Sequence, residues 1–178
     1  MKNKPLLKTA YISIMASLIC VCAWITIPFP IPFTMQTFGV FTALLLLGGK
    51  DGTAVIGLYL LLGAVGLPVF SSFSSGLGYL AGATGGYLVG FLLCAAAFAV
   101  YQKFRKNPKR DTIALGVCSI SYYICGTVWF LYSTYKGDPR AITLQSIALC
   151  TLPYVIPDAV KLILAHLLTQ KLKRKLPL

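Results

Sequence analysis

The apolar runs of this chain constrain its fold more than any other feature. From about Thr9 to Ile27, and in several later stretches, no Asp, Glu, Lys or Arg occurs. Charged residues make up only 11% of the chain, against about 25% in soluble domains, and the mean hydropathy is +0.79. A membrane helix needs about 20 apolar residues, so 178 residues hold about six spans joined by short loops. The expectation is an all-α, polytopic membrane protein with six transmembrane helices. Residues 1–178 form one integral membrane domain, with no room for a second soluble one. The net charge of +12 does not point to nucleic acid, because the charges sit at the chain ends and in one loop between apolar runs.

Lysines precede the first apolar stretch, as in a signal peptide. The stretch is too long for that, and Pro28-Phe29-Pro30 follows it rather than a small-residue cleavage site. It reads as a retained first helix. The six cysteines, Cys20, Cys22, Cys94, Cys118, Cys125 and Cys150, lie in or beside apolar segments and form no CxxC pair. They read as small hydrophobes, not as a disulfide framework or a metal site.

Taken in order, the chain predicts helices over about 6–27, 33–47, 53–67, 83–102, 112–135 and 153–172. In the first, Thr9, Ser13 and Ser17 recur every four residues beside an Ala16 and Cys20 stripe. Such spacing lets another helix approach closely, within the bundle or from a partner. Proline breaks the chain at 28–32. The second helix opens with Thr34, Gln36 and Thr37, which either cap it or line a cavity. Gly48-Gly49-Lys50-Asp51-Gly52 predicts a tight turn and lacks the pattern of a phosphate loop.

Residues 68–82 predict a long uncharged loop with Phe70, Phe73 and Tyr79, including the serine-rich 71–75 segment, as suits a lid over a site. Gly76-x-Gly78-x-x-Ala81 lacks the strand that a dinucleotide fingerprint requires. Gly82, Gly86 and Gly90 form a ridge for close helix packing. Tyr122, Tyr123, Trp129, Tyr132 and Tyr135 predict an interfacial aromatic belt. The last helix is expected to start near Pro153, with Pro157 in its first turns.

Lys and Arg side chains set the orientation. Thirteen of the sixteen lie at the N-terminus, at Lys50, in the 103–110 loop or in the C-terminal tail, and only Lys136 and Arg140 belong to the opposite set of loops. Both termini are therefore expected in the cytoplasm.

The remaining cation is Lys161, three residues after Asp158 in the last apolar run. The spacing puts both on one helix face, an estimated 7–12 Å below the helix's outer end at about 1.5 Å per residue. Each charge costs about 2.5–3.5 kcal/mol in a membrane centre, and intramembrane charges are functional by default. An ammonium beside a carboxylate suits a ligand with an acid group and N–H donors. The single histidine, His166, reads as structural. The chain has no Glu, no paired carboxylates, no HExxH and no GxSxG, so neither an enzyme nor a metal site is expected. It also lacks an ATP-binding motif, so any energised transport needs a partner that supplies one.

Five motifs occur in a telling order: Pro32-Phe33-Thr34-Met35-Gln36-Thr37, Gly63-Ala64-Val65-Gly66-Leu67-Pro68-Val69-Phe70, Gly76-Leu77-Gly78, Thr84-Gly85-Gly86-Tyr87-Leu88-Val89-Gly90-Phe91 and Pro157-Asp158-Ala159-Val160-Lys161. Together they resemble the BioY family, the biotin-specific substrate-binding (S) components of energy-coupling factor (ECF) transporters. The resemblance implies a six-helix fold that binds biotin near the outer face of the bacterial cytoplasmic membrane. It implies partnership with a transmembrane coupling (T) protein and two ATP-binding-cassette ATPases, and an S component that topples to release substrate inside. The family's Ala-x-x-x-Ala contact on helix 1 is replaced here by Ser13-x-x-x-Ser17 and Ala16-x-x-x-Cys20. The expected biotin site comprises Asp158, Lys161, Tyr87, Gly86, Gln36, Phe70 and Tyr79. An S component for another vitamin, a membrane-embedded enzyme and a non-transport scaffold are the competing readings.

Overall fold

A computed structural model describes residues 4–28, 31–105, 107, 110–135 and 143–175. Part of the proline break (Phe29, Pro30), part of the basic loop (Lys106, Pro108, Lys109) and the 136–142 connection with Lys136, Asp138 and Arg140 lie outside the described residues. Among the described residues, eight α-helices carry the architecture: α1 Lys4–Trp24, α2 Gln36–Leu47, α3 Gly49–Ala64, α4 Leu77–Ala81, α5 Gly85–Phe104, α6 Asp111–Cys118, α7 Ile120–Thr134 and α8 Leu144–Lys173. α6 and α7 are the two halves of one 24-residue apolar stretch, Asp111–Thr134, that breaks at Ser119. Among the described residues, four helical columns are long and apolar enough to cross a membrane: α1, α5, α6–α7 and α8. At 12 and 16 residues, α2 and α3 are shorter.

Several boundaries differ from the sequence expectation for local reasons. The second helix starts at Gln36 rather than Phe33, because Phe33–Thr34 (β2) pairs antiparallel with Thr26–Ile27 (β1). The turn expected at 48–52 is a single residue. Gly48 takes φ +85°, which a side chain would resist, and α3 starts at Gly49. The 68–82 loop is not structureless: it folds a 3-10 turn at Ser71–Phe73 and then α4.

The largest correction is α8, a 30-residue helix that begins nine residues before Pro153. Thr143 and Ser146 form a capping box that secures its start: the Thr143 hydroxyl accepts from the Ser146 N–H at 3.2 Å, and the Ser146 hydroxyl accepts from the Thr143 N–H at 2.9 Å. A helix starting here runs through both prolines. Pro157 therefore lies near the middle of the helix, and Asp158 is about 21 Å from its start at 1.5 Å per residue, not 7–12 Å.

The core lies between α1, α2, α3 and α5, where Ile19, Phe41, Leu44, Ile56 and Phe98 are fully buried. Large apolar side chains such as Phe104, Ile156 and Ile163 point outward, as in a protein whose solvent is lipid. The glycine ridge serves packing at two of its three positions. A Cβ on Gly86 would stand 2.2 Å from the Trp129 Cβ, and one on Gly90 would stand 2.7 Å from the Tyr122 Cα. Gly82 instead ends α4. On the facing helix, a Cβ on Gly126 would lie 2.1 Å from the Tyr87 ring, so α5 and α7 interlock through small residues on both sides. Four cysteines are buried and two half-buried, and all six are free thiols.

The small-residue stripe of α1 divides. Ala16 (1% exposed) and Cys20 (7%) pack inside the bundle, whereas Ser13 and Ser17 face outward. Ser17 donates its hydroxyl to the Ser13 carbonyl at 3.0 Å, which spares a polar group in an apolar setting.

Candidate functional site

Helix α8 brings Asp158 and Lys161 against the start of α2. They form an ion pair at 2.8 Å, and the residues are only 8% and 5% exposed. Neither charge has hydrogen-bonding capacity to spare. Asp158 Oδ1 accepts from Lys161 Nζ at 2.8 Å and from the Thr37 hydroxyl at 2.8 Å. Asp158 Oδ2 accepts from the phenols of Tyr122 at 2.5 Å and Tyr123 at 2.8 Å. Lys161 spends its other two N–H groups on the Thr34 carbonyl at 2.6 Å and the Thr37 hydroxyl at 3.1 Å. Its ammonium also sits 4.3 Å from the centre of the Phe33 ring, a favourable cation–π distance. Four donors around the carboxylate and three acceptors around the ammonium are what a desolvated pair needs to offset its loss of water.

The pair borders a hollow between α2, α5, α7, α8 and the 68–84 segment. Counting its open mouth, the hollow measures about 570 Å³; the volume open to the centre of a water molecule is about 70 Å³. Of the expected site residues, Asp158, Lys161, Gln36, Tyr79 and Tyr87 line it together. Gly86 and Phe70 are not in the lining. Gly86 lies in the α5–α7 contact. Phe70 is fully buried between Tyr59 (edge-on, 5.5 Å) and Tyr79 (stacked, 5.2 Å), so it backs a wall of the hollow. Gln36 donates to the Tyr59 phenol at 2.9 Å. Tyr79 and Ser71 share a short hydrogen bond that ties the 68–82 segment to this wall. Tyr87 is fixed by Thr127 at 3.1 Å and donates to the Cys150 carbonyl at 3.3 Å.

Sequence reasoning missed Thr37 as a partner of both charges, and it placed Tyr122 and Tyr123 in an aromatic belt. Both tyrosines line the hollow. A signal was available: they fall in the middle of the 24-residue Asp111–Thr134 column, whereas a belt residue belongs near an end. Tyr132 and Tyr135, at the column's end and exposed, do suit a belt. Trp129 is committed elsewhere, donating its indole N–H to the Gly82 carbonyl at 2.9 Å. His166 stands apart from the hollow, bonded to Thr112 at 2.7 Å and Gln170 at 2.9 Å. Among the described residues, no cluster of three or more His, Cys, Asp or Glu side chains is placed to hold a metal ion.

A profile of the BioY family matches residues 1–178. The chain belongs to the BioY family. Among the similar proteins, the biotin transporter BioY of Thermotoga maritima is 40% identical over 163 residues, covering 90% of this chain and 92% of that protein. The probable biotin transporter BioY of Pyrococcus horikoshii is 34% identical, covering 81% and 82%. The biotin transporter BioY2 of Lactococcus lactis is 31% identical, covering 99% and 95%. The fold matches the crystal structure of the S-component for biotin from an ECF-type ABC transporter, with a TM-score of 0.85, 24% identity and coverage of 98% of this chain and 95% of that one. The arrangement of helices is therefore the S-component fold, in a BioY chain with several membrane-crossing helices.

Proposed function

We propose that this chain is the substrate-binding membrane subunit of an ECF transporter and that its substrate is biotin. Membership of the BioY family supports the substrate. The observation that carries the site assignment is the buried Asp158–Lys161 pair at the edge of an aromatic-walled hollow. The bicyclic ring of biotin packs against Tyr79 and Tyr87. Its ureido group and valerate carboxylate offer N–H donors and oxygen acceptors that Asp158, Lys161 and Gln36 recognise. Because both charges are already fully bonded, a polar ligand group gains Asp158 or Lys161 only by taking over a place that Thr34, Thr37 or a tyrosine now fills. Recognition is then an exchange of hydrogen bonds at a preorganised pair, which penalises a ligand of the wrong pattern by leaving a charge underbonded.

The chain acts as a binding and transport subunit, not an enzyme, and its energy comes from partners. In this reading the columns α1, α2, α3, α5, α6–α7 and α8 are six spans in the bacterial cytoplasmic membrane. Both termini face the cytoplasm, where thirteen of the sixteen Lys and Arg lie. A T protein and two ATPases complete the transporter. The partner-facing surface of α1 is the exposed Ser13–Ser17 edge, since Ala16 and Cys20 are taken up by the chain's own core.

Thermal unfolding of the detergent-purified protein tests the substrate. Biotin at about 100 times its dissociation constant stabilises the fold by about 2.7 kcal/mol. A rise in Tm with biotin and none with thiamine or riboflavin is the expected result; no response to biotin overturns it.

A further inference from the structure

A second hollow lies at the other end of α8. It measures about 460 Å³ as volume open to the centre of a water molecule, and its polar lining is Arg105, Asp111, Thr112, His166, Gln170 and Lys173. Leu45 of α2 and Thr169 complete it. Three elements converge here: the residue just past α5, the first turn of α6 and the last turns of α8. On α8, His166, Thr169, Gln170 and Lys173 fall at i, i+3, i+4 and i+7, one face of a helix. The substrate hollow shares none of these residues.

In this pocket Asp111 is paired with Arg105, whereas Lys173 is not paired among the described residues. Asp111 uses only one oxygen: Oδ2 accepts from Gln102 at 3.1 Å and from a close contact with Arg105. Its Oδ1 is buried and accepts nothing among the described residues, an arrangement that costs free energy. Lys173 is an exposed cation with no ion pair or hydrogen bond to protein among the described residues. With Arg105 offsetting Asp111, the lining is left with one positive charge. Lys171, Arg174 and Lys175 add to it in the adjoining tail.

The pocket sits at the ends of its helices, where a membrane's polar interface begins. One residue along from its lining, Ile113 on α6 (71% exposed) and Leu167 on α8 (50%) are large apolar side chains turned outward. A ligand held here has a negative group for Lys173 and an apolar portion alongside. Basic pockets between membrane helices on the cytoplasmic side have the chemistry of anionic lipid headgroup sites.

We propose that this pocket binds the headgroup of an anionic phospholipid, its phosphate on Lys173. The site is independent of what the first hollow binds. Native mass spectrometry of the intact protein in detergent tests it, with added phosphatidylglycerol, phosphatidylcholine or inorganic phosphate. One phosphatidylglycerol is retained by the wild type, in preference to phosphatidylcholine. Lys173→Gln weakens that binding about fivefold, the loss expected of one interfacial cation, and Lys173→Arg restores it. Lys171→Gln removes the same charge from the same tail outside the pocket and leaves binding within about twofold. Thermal unfolding in phosphatidylcholine confirms that each variant is folded. Equal loss in Lys171→Gln and Lys173→Gln reduces the effect to general attraction by a basic tail and overturns the site. Equal retention of phosphatidylcholine, or displacement of phosphatidylglycerol by an equal concentration of inorganic phosphate, also overturns the lipid assignment.

Discussion

At the scale of single residues, Asp158 and Lys161 play two parts that mutagenesis separates. Removing one partner strands the other as a buried charge, which costs about 3–5 kcal/mol. Asp158→Asn and Lys161→Ala are therefore expected to lower stability by that order and to weaken biotin binding strongly. Removing both charges together is a different matter, because neutral replacements of a buried pair are often close to neutral for stability. The double variant Asp158→Asn/Lys161→Met is expected to recover most of the lost Tm without recovering biotin affinity, measured by equilibrium binding. Recovery of both would show that the pair only holds the helices together. The tyrosines give a second prediction. Tyr122→Phe removes a phenol that donates to a carboxylate and is expected to cost about 1.5–3 kcal/mol. Tyr132→Phe, on an exposed side chain, is expected to change thermal stability by less than about 0.5 kcal/mol. Equal effects would return Tyr122 to the belt role that its residue type suggested.

At the scale of elements, the α5–α7 contact is built by glycines rather than by large side chains. Adding a methyl at Gly86 or Gly126 forces the helices apart, since the new carbon would stand 2.2 Å and 2.1 Å from Trp129 and Tyr87. Overpacking of this kind costs about 1–3 kcal/mol. Because Tyr87 lines the hollow, Gly126→Ala is also expected to weaken biotin binding. Gly57 lies in α3, and a Cβ added there would meet nothing within 4 Å. There Gly→Ala is expected to stabilise by about 0.5–1 kcal/mol, the helix-propensity difference. Thermal unfolding of the three variants checks the contrast. Local geometry also explains why α8 could not be bounded from sequence. Pro153 and Pro157 read as an entrance, yet the Thr143–Ser146 capping box starts the helix earlier. Membrane helices accommodate internal prolines when neighbours satisfy the freed carbonyls.

At the scale of the whole molecule, the bundle decides which surface of α1 remains for a partner. Ser13→Leu and Ser17→Leu place bulk on an outward edge. They are expected to leave the fold and biotin binding unchanged while reducing co-purification with the T protein and biotin uptake. Ala16→Leu inserts the same bulk into the core, where Ala16 is 1% exposed, and is expected to lower Tm by overpacking. Normal assembly in both serine variants would place the docking surface elsewhere.

The membrane setting and the Asp158–Lys161 pair were legible in the sequence. Each rests on a local property: run length, charge placement, or two residues one helical turn apart. Five of the seven expected site residues line one hollow, and four of those, Asp158, Lys161, Gln36 and Tyr87, lie in the motifs that resemble the BioY family. What tertiary structure decided was partnership. Thr37 is 121 positions from Asp158 and Tyr123 is 35, and no periodicity within one helix says that they meet at one carboxylate. Gly86 and Phe70 share the site's motifs, yet packing turned one toward Trp129 and the other behind Tyr79. Likewise, only the docking of α1 onto its neighbours buried Ala16 and left Ser13 outside. A helix's period fixes which residues share a face; which neighbour that face meets depends on the packing of the whole chain.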